Sequence, residues 1–229
     1  MTSVYCFSGS GHSYAIAEYF ARELQVPVVN IDRRLAESHY QADLAVVIFP
    51  VYCQNIPAVV RDFFSKLDSK HVVLIATYGK ISHGNVLWEA FKIIRGRVIA
   101  AAYVPMGHTY LDSSTQFDAQ PLQPIFARIQ HPRAATLTRE SKHPLASFFP
   151  SWRSRCGVRI WLDESCNACN LCTEQCPMQA IEAGIIHGNC IRCLRCVCQC
   201  PKSALHFQLH PILKRYLAVS YTHLTLPTK

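Results

Sequence analysis

The sequence predicts an α/β domain built on a five-stranded parallel sheet, followed by a small α+β domain. Two observations lead to this prediction. Residues 1–130 alternate short apolar runs with amphipathic stretches, which is typical of βα units. Between residues 166 and 200, eight of the chain's twelve cysteines form two regularly spaced runs. The length of 229 residues accommodates one domain of about 150 residues and a smaller one.

The first domain is expected to contain five strands that read largely as apolar runs, because helices cover both faces of a parallel sheet. The predicted strands are Ser3–Phe7, Val26–Asn30, Leu44–Phe49, Val72–Thr77 and Val98–Val104. The predicted helices are Tyr14–Glu23, Ala58–Leu67, Asn85–Ile94 and Leu122–Gln130. Pro57 suits the first turn of the second helix, where a missing N–H group costs no hydrogen bond. This order of elements predicts a flavodoxin-like, doubly wound sheet over residues 1–130.

The remainder of the chain divides into a linker, the small domain and a tail. Residues 131–157 are predicted to be the linker, because they hold three prolines among scattered Arg, Lys and Ser residues. The small domain is expected over residues 158–210, and residues 211–229 form the tail. The last ten residues, 220–229, lack a helix or strand pattern and resemble translated sequencing-adapter sequence. No function is therefore assigned to them.

The cysteine runs follow the spacing Cys-x2-Cys-x2-Cys-x3-Cys-Pro twice, and the second run lies 24 residues after the first. This is the spacing of bacterial two-cluster ferredoxins, in which the fourth cysteine of each run binds the cluster held by the other run. The predicted ligands of cluster one are Cys166, Cys169, Cys172 and Cys200, and those of cluster two are Cys190, Cys193, Cys196 and Cys176. The spacing therefore predicts two [4Fe–4S] clusters with exchanged fourth ligands.

Zinc and disulfides are the alternative uses of closely spaced cysteines. Structural zinc sites usually show Cys-x2-Cys pairs separated by a longer gap, which the two triplets do not match. Disulfides require an oxidising compartment, and the N-terminal sequence has no basic segment with an apolar core that would direct export. The repeat also extends beyond the cysteines: Ala180-Ile181 and Ala204-Leu205 are 24 residues apart, as are Trp161-Leu162 and Ile185-Ile186. A duplicated half-domain is the resulting hypothesis.

A second candidate site follows the first predicted strand. The sequence Ser-Gly-Ser-Gly-His-Ser over residues 8–13 leads directly into a helix. Small residues between a strand and a helix N-terminus expose backbone N–H groups and the positive end of the helix dipole to an anion. The loop matches neither a Walker loop nor the G-x-G-x-x-G spacing of dinucleotide binders. A tight turn with an ordinary helix cap would also account for it.

Two further loops are expected at the same edge of the sheet. Residues 50–57 follow the third predicted strand and residues 78–85 follow the fourth. In an open parallel sheet, ligands bind at the carboxyl ends of the strands, so the three loops are expected to share a ligand. Tyr52 and Tyr78 are placed to cover a planar ring, and the glycines permit close approach of the backbone.

The loop over residues 8–13 resembles the FMN-phosphate loop of flavodoxins, T-x-T-G-N-T, with hydroxyls at matching positions and His12 in place of the usual Asn. Together with the cysteine runs, the chain over about residues 1–210 is similar to the EFR1 family, in which a flavodoxin-like domain precedes a two-cluster ferredoxin domain. The resemblance implies bound FMN. The FMN-binding residues implied are Ser8, Gly9, Ser10, Gly11, His12, Ser13, Pro50, Val51, Tyr52, Thr77, Tyr78, Gly79, Gly84 and Asn85.

Charge and location complete the expectations. The formal net charge of +8 falls to about +2 once two anionic clusters and a flavin phosphate are counted, so a nucleic-acid partner is not expected. The apolar runs are too short for a membrane span, and a cytoplasmic location is expected. An electron carrier with a redox partner protein is favoured over a flavin-dependent reductase and over a ferredoxin with a flavin-free docking domain. No catalytic residue is predicted, and association into a homodimer stays open.

Overall fold

The computed structural model describes residues 1–37, 39–144, 146 and 156–225, without the side chains of residues 36, 37 and 219–225. The chain divides into two compact units, Met1–Pro144 (unit 1) and Leu145–Lys229 (unit 2). The division falls inside the segment interpreted as a linker. Most of the second half of that segment, residues 145 and 147–155, lies outside the described residues.

Unit 1 is a parallel sheet of five strands with helices between them. Its elements are β1 Thr2–Cys6, α1 His12–Leu24, β2 Val28–Asn30, α2 Arg33–Glu37, β3 Tyr40–Pro50, α3 Ala58–Lys66, β4 Leu67–Tyr78, α4 Val86–Ile93, β5 Arg95–Pro105 and α5 Gln123–Gln130, the last preceded by a 3-10 turn at Gln120–Leu122. The strand order is β2-β1-β3-β4-β5, and every pairing is parallel. This is the flavodoxin-like order, so the predicted α/β fold of this unit is confirmed.

The two faces of the sheet carry separate aromatic contacts, as alternating side chains on buried strands require. On one face Phe20 of α1 stacks on Phe126 of α5, with ring centroids 5.0 Å apart, above buried Val46 and Ile48 of β3. On the other face Phe49 of β3 packs edge-on against Phe64 of α3 at 5.4 Å. The sheet is therefore covered on both sides, and its loops at the carboxyl ends are the part left to form a site.

Three strands begin three or more residues earlier than predicted. β3, β4 and β5 extend four, five and three residues further toward the N-terminus than the apolar runs that were used to locate them. The extra residues are partly polar, for example Gln41 paired with Asp68, and backbone hydrogen bonds hold them in the ladder whatever their side chains are. Helix α2 was not predicted either. It lacks an apolar stripe, and Asp32 caps it by accepting a hydrogen bond from the Leu35 N–H at 2.8 Å.

Residues 131–144 are hydrogen-bonded to the rest of unit 1. The Ala135 N–H donates to the Val98 carbonyl at 2.8 Å. The Lys142 ammonium donates to Glu89 at 2.6 Å and to Asn55 Oδ1 at 2.8 Å. The first half of the predicted linker therefore runs along the α/β unit, beside the loop over residues 50–57.

Unit 2 consists of short elements related by the 24-residue repeat and a C-terminal helix outside the repeat. They are β6 Val158–Leu162, α6 Leu171–Glu174, β7 Ile181–Glu182, β8 Ile185–Ile186, α7 Arg195–Cys198, β9 Leu205–Leu209 and α8 Pro211–Thr225. β6 pairs antiparallel with β9, and β7 pairs antiparallel with β8. Leu162 pairs with Leu205, and the repeat relates Leu162 to Ile186 and Leu205 to Ile181. Ile186 and Ile181 also pair with each other. Strand register therefore obeys the same repeat as the cysteines.

The tail differs from its sequence-based description. Residues 211–225 form helix α8, although no regular element was predicted there. Residues 226–229 lie outside the described part of the chain. Among the helices of the described residues, none has the length and apolar character needed to cross a bilayer.

Candidate functional site

The eight repeated cysteines surround two cavities in unit 2. Cavity one has a volume of about 290 Å³, and cavity two has a volume of about 20 Å³. The cysteines of cavity one are Cys166, Cys169, Cys172 and Cys200, and those of cavity two are Cys176, Cys190, Cys193 and Cys196. The structure thus groups the cysteines as the sequence assigned them, with the fourth member of each run on the other run's cavity. What they bind stays a prediction.

The backbone turns that shape the two cavities are repeated as well. Six non-glycine residues with positive φ form three pairs 24 residues apart: Ala168 and Arg192 at 55° and 56°, Asn170 and Leu194 at 57° and 62°, Gln179 and Ser203 at 50° and 51°. The left-handed conformation is uncommon for such side chains. Its occurrence at equivalent points of both halves indicates that the turns are required by the site.

These turns aim backbone N–H groups at cysteine sulfurs. The N–H groups of Ala168 and Arg192 donate to Cys166 and Cys190, both at 3.4 Å. The N–H groups of Ala180 and Ala204 donate to Cys176 and Cys200 at 3.2 and 3.3 Å. Hydrogen bonds to sulfur stabilise the thiolate over the thiol and tune any metal that the thiolate binds.

The eight cysteines that line the two cavities are free thiols. Burial raises the pKa of Cys193 to about 11 and that of Cys196 to about 12. At Cys200 burial also raises the pKa, but backbone hydrogen bonds from residues 202–205 outweigh it and the net pKa is lowered. Cys198, the additional cysteine of the second run, is exposed at the end of α7 and lines neither cavity. Within the described ranges, no group of three or more His, Cys, Asp or Glu side chains is arranged to hold a metal ion.

In unit 1, the loops at the carboxyl ends of β1, β3, β4 and β5 meet around a third cavity, the loop cavity. Eleven of the fourteen residues implied for FMN line it: Ser8, Gly9, Ser10, His12, Ser13, Pro50, Val51, Tyr52, Thr77, Tyr78 and Gly79. Gly11, Gly84 and Asn85 do not. Met106, Gly107 and Thr109 also line it, although the sequence reasoning did not include them. They follow the fifth strand, so the rule that assigned the other loops to this edge would have found them.

The N-terminus of α1 borders the loop cavity, because His12 and Ser13 of its first turn line it. Gly11 precedes the helix with φ of 93°, and no side chain caps the helix. The first turn contains no acidic residue. The Ser13 hydroxyl lies 2.8 Å from the Thr77 hydroxyl, and Ser10 lies 2.8 Å from His12 Nδ1. The loop over residues 8–13 is thus tied to the end of β4 and presents a positive helix end.

The other glycines and Asn85 have structural partners. A Cβ atom on Gly79 would lie 2.6 Å from the His108 ring, and one on Gly84 would lie 2.7 Å from Gln54. Gly84 also has φ of 59°. Asn85 Oδ1 accepts a hydrogen bond from the Glu140 backbone N–H. Packing of the loops therefore accounts for Gly79, Gly84 and Asn85 without a ligand.

The loop cavity encloses about 30 Å³. A water molecule needs about 10–15 Å³ on this kind of measure, so the enclosed volume accepts a few waters or part of a phosphate group. It does not accept a flavin ring. A ring at this edge would have to lie over the loops, beside the half-buried Tyr52 and Tyr78.

His108 provides a pH-dependent test of this loop edge. Burial, with a smaller contribution from the charge of His12, lowers the pKa of His108 to about 4. Between pH 6.5 and 4 the unfolded chain binds a proton at this histidine and the folded chain does not. We therefore expect the free energy of unfolding of unit 1 to fall by about 3 kcal/mol over this range, and His108→Gln to remove that part of the decrease.

The measurement is urea unfolding followed by circular dichroism at a series of pH values. The readout is the slope of the free energy of unfolding against pH, because His108→Gln can also change that free energy by the same amount at every pH. His131→Gln, at an exposed histidine of the same unit, is the matched control and should leave the slope unchanged. An identical slope in the His108→Gln variant would contradict the prediction.

No protein-family model matches the chain, and no curated protein matches it. Among solved structures, a protein from Bacteroides uniformis described as a putative flavoprotein matches with 17% sequence identity and a TM-score of 0.37. The match covers 46% of this chain and 90% of that chain. A likeness this distant carries no argument about fold or ligand. The fold is therefore argued from the strand order, and the site from its own geometry.

Proposed function

We propose that the chain is a cytoplasmic electron-transfer protein that carries two [4Fe–4S] clusters in unit 2 and FMN in unit 1. The observation that carries this proposal is the grouping of eight cysteines around two cavities with the fourth members exchanged. Two-cluster ferredoxins bind their clusters in this crossed manner. A redox partner protein would supply or accept the electrons. Two copies of the chain could also associate, and the gel filtration described below would detect such a dimer.

The thiol geometry of cavity one fits a cluster better than a single ion. A single zinc ion draws four sulfurs to about 2.3 Å from one point, whereas a four-iron cube is bound at its corners and keeps the sulfurs farther apart. The cysteines of cavity one are distributed around about 290 Å³ and do not form a compact metal-ion site. Cavity two is smaller, so a cluster there requires the cysteine side chains to rotate outward.

The chain's own residues would set the properties of the clusters. The four backbone N–H groups that donate to cysteine sulfurs would stabilise the charge on the thiolates. Each cluster, when bound, would accept and release one electron, whereas a flavin exchanges one or two. The loop over residues 8–13 would hold the FMN phosphate through the backbone N–H groups at the α1 N-terminus and the neighbouring hydroxyls.

The test is anaerobic purification of the full chain with quantification of iron, sulfide and flavin. We expect about eight irons, a matching amount of sulfide and about one FMN per chain. Zinc in place of iron, or about four irons after full reconstitution, would contradict the two-cluster proposal. Gel filtration of the same sample reports the number of chains in the assembly.

The small volume of the loop cavity favours one alternative, in which unit 1 binds no flavin and serves as a docking domain. About eight irons without FMN, after incubation with excess FMN, would support that alternative. A flavin-dependent reductase would instead turn over an electron acceptor under steady-state conditions. The composition measurement and an acceptor screen therefore distinguish the three functions.

A further inference from the structure

The two halves of unit 2 share a backbone but differ in charge. Positions 168 and 171 of the first half are Ala and Leu, whereas the equivalent positions 192 and 195 of the second half are both Arg. The helices that carry Leu171 and Arg195 begin at these residues, after a left-handed residue in each half. The comparison therefore isolates a side-chain difference at equivalent sites.

Arg195 is directed inward. It is 8% exposed, although it carries a charge, and it lines cavity two together with that cavity's cysteines. Its Nη1 donates a hydrogen bond to the Gln175 carbonyl at 3.3 Å. Gln175 directly precedes Cys176, the cysteine that the first run contributes to cavity two. Arg195 thus connects the two chain segments that form this cavity.

A buried guanidinium is unfavourable unless negative charge lies near it. Four thiolates with a [4Fe–4S] core carry a charge of about −2, which rises to about −3 when the cluster accepts one electron. The same burial that keeps water from stabilising the added charge also reduces the screening of Arg195. Arg195 would therefore stabilise the reduced cluster more than the oxidised cluster.

We propose that Arg195 sets the reduction potential of cluster two, raising its affinity for an electron above that of the same site with an apolar residue. This inference rests on the proposed function. The reaction adds one electron from a one-electron donor to cluster two; no bond is made or broken and no proton is taken up. Leu171 leaves cluster one without the corresponding charge, so the two clusters would have unequal reduction potentials.

The test is a redox titration of the holoprotein with dithionite, followed by electron paramagnetic resonance. In the Arg195→Leu variant we expect the electron affinity of one cluster to fall at least tenfold, which is about 59 mV for one electron, while the other midpoint stays in place. In the Leu171→Arg variant we expect the electron affinity of the other cluster to rise. Arg195→Lys keeps the charge and should retain most of the wild-type midpoint.

Arg159→Leu is the matched control, because Arg159 is an exposed arginine on β6 of the same unit and its removal changes the net charge equally. Equal midpoints in Arg195→Leu and the wild type, with full iron content in both, would overturn the role of Arg195 and leave the proposed function intact. A similar shift in Arg159→Leu would also overturn it. Absence of a second cluster in the wild type would overturn both.

Discussion

The double variant Cys176→Ala with Cys190→Ala is expected to retain one intact [4Fe–4S] cluster. The two residues belong to different cysteine runs, yet both line cavity two. Both substitutions should therefore damage the same cluster, and cluster one should keep its four thiolates. The measurement is iron and sulfide analysis of anaerobically reconstituted protein, with about four of about eight irons remaining.

The complementary pair separates crossed from uncrossed ligation. Cys166→Ala with Cys176→Ala alters two residues of one run, but these residues line different cavities. Neither cluster would then keep four cysteine ligands, so no intact cluster is expected. Cys198→Ala is the control, because Cys198 is exposed and lines neither cavity. One intact cluster in the Cys166/Cys176 variant and none in the Cys176/Cys190 variant would refute the crossed assignment.

The sequence predicted the centres of the strands and missed their ends. Buried strand centres are apolar because both faces are covered, and that pattern is local. The pairing of Gln41 with Asp68 depends on backbone hydrogen bonds between strands that are 27 positions apart, which leave no apolar signature. The short helix α2 has the same difficulty, because its stability derives from the Asp32 cap and not from an amphipathic stripe.

The candidate sites show a similar division. The spacing of two residues between ligands constrains the first three cysteines of each run locally, and the two-cluster ferredoxin pattern supplied the exchange of the fourth. Thr109 follows β5, so the rule that places ligands at strand ends would have assigned it to this edge. Its 3.3 Å contact with the Ser10 hydroxyl spans 99 residues and has no local signature in the sequence. His108, which packs against Gly79, and Glu140, which donates to Asn85, also lie outside the loop motif, so these packing roles could not be inferred from it.

Placing a carboxylate in the loop cavity is expected to have the second large effect, on flavin binding. Ser10 lines the cavity at the N-terminal end of α1. Two unit charges 4 Å apart repel by about 4 kcal/mol at an effective dielectric constant of about 20. We therefore expect Ser10→Asp to weaken FMN binding by about 100-fold, or about 3 kcal/mol. Riboflavin has no phosphate, so we expect its affinities for the variant and the wild type to agree within about threefold, or about 0.7 kcal/mol.

The measurement is quenching of flavin fluorescence on titration with the iron-loaded protein, and the ratio of FMN to riboflavin affinity is the decisive quantity. Ser10→Ala removes a hydroxyl donor without adding a charge, so it should cost about 1.5 kcal/mol, the lower end for a hydrogen bond to a charged group. Ser82→Asp is the matched control, because Ser82 is exposed and does not line the loop cavity. Equal loss of FMN and riboflavin in Ser10→Asp would indicate a damaged loop. Unchanged FMN affinity would place the phosphate elsewhere, and unit 1 would then lose its strongest argument for a flavin.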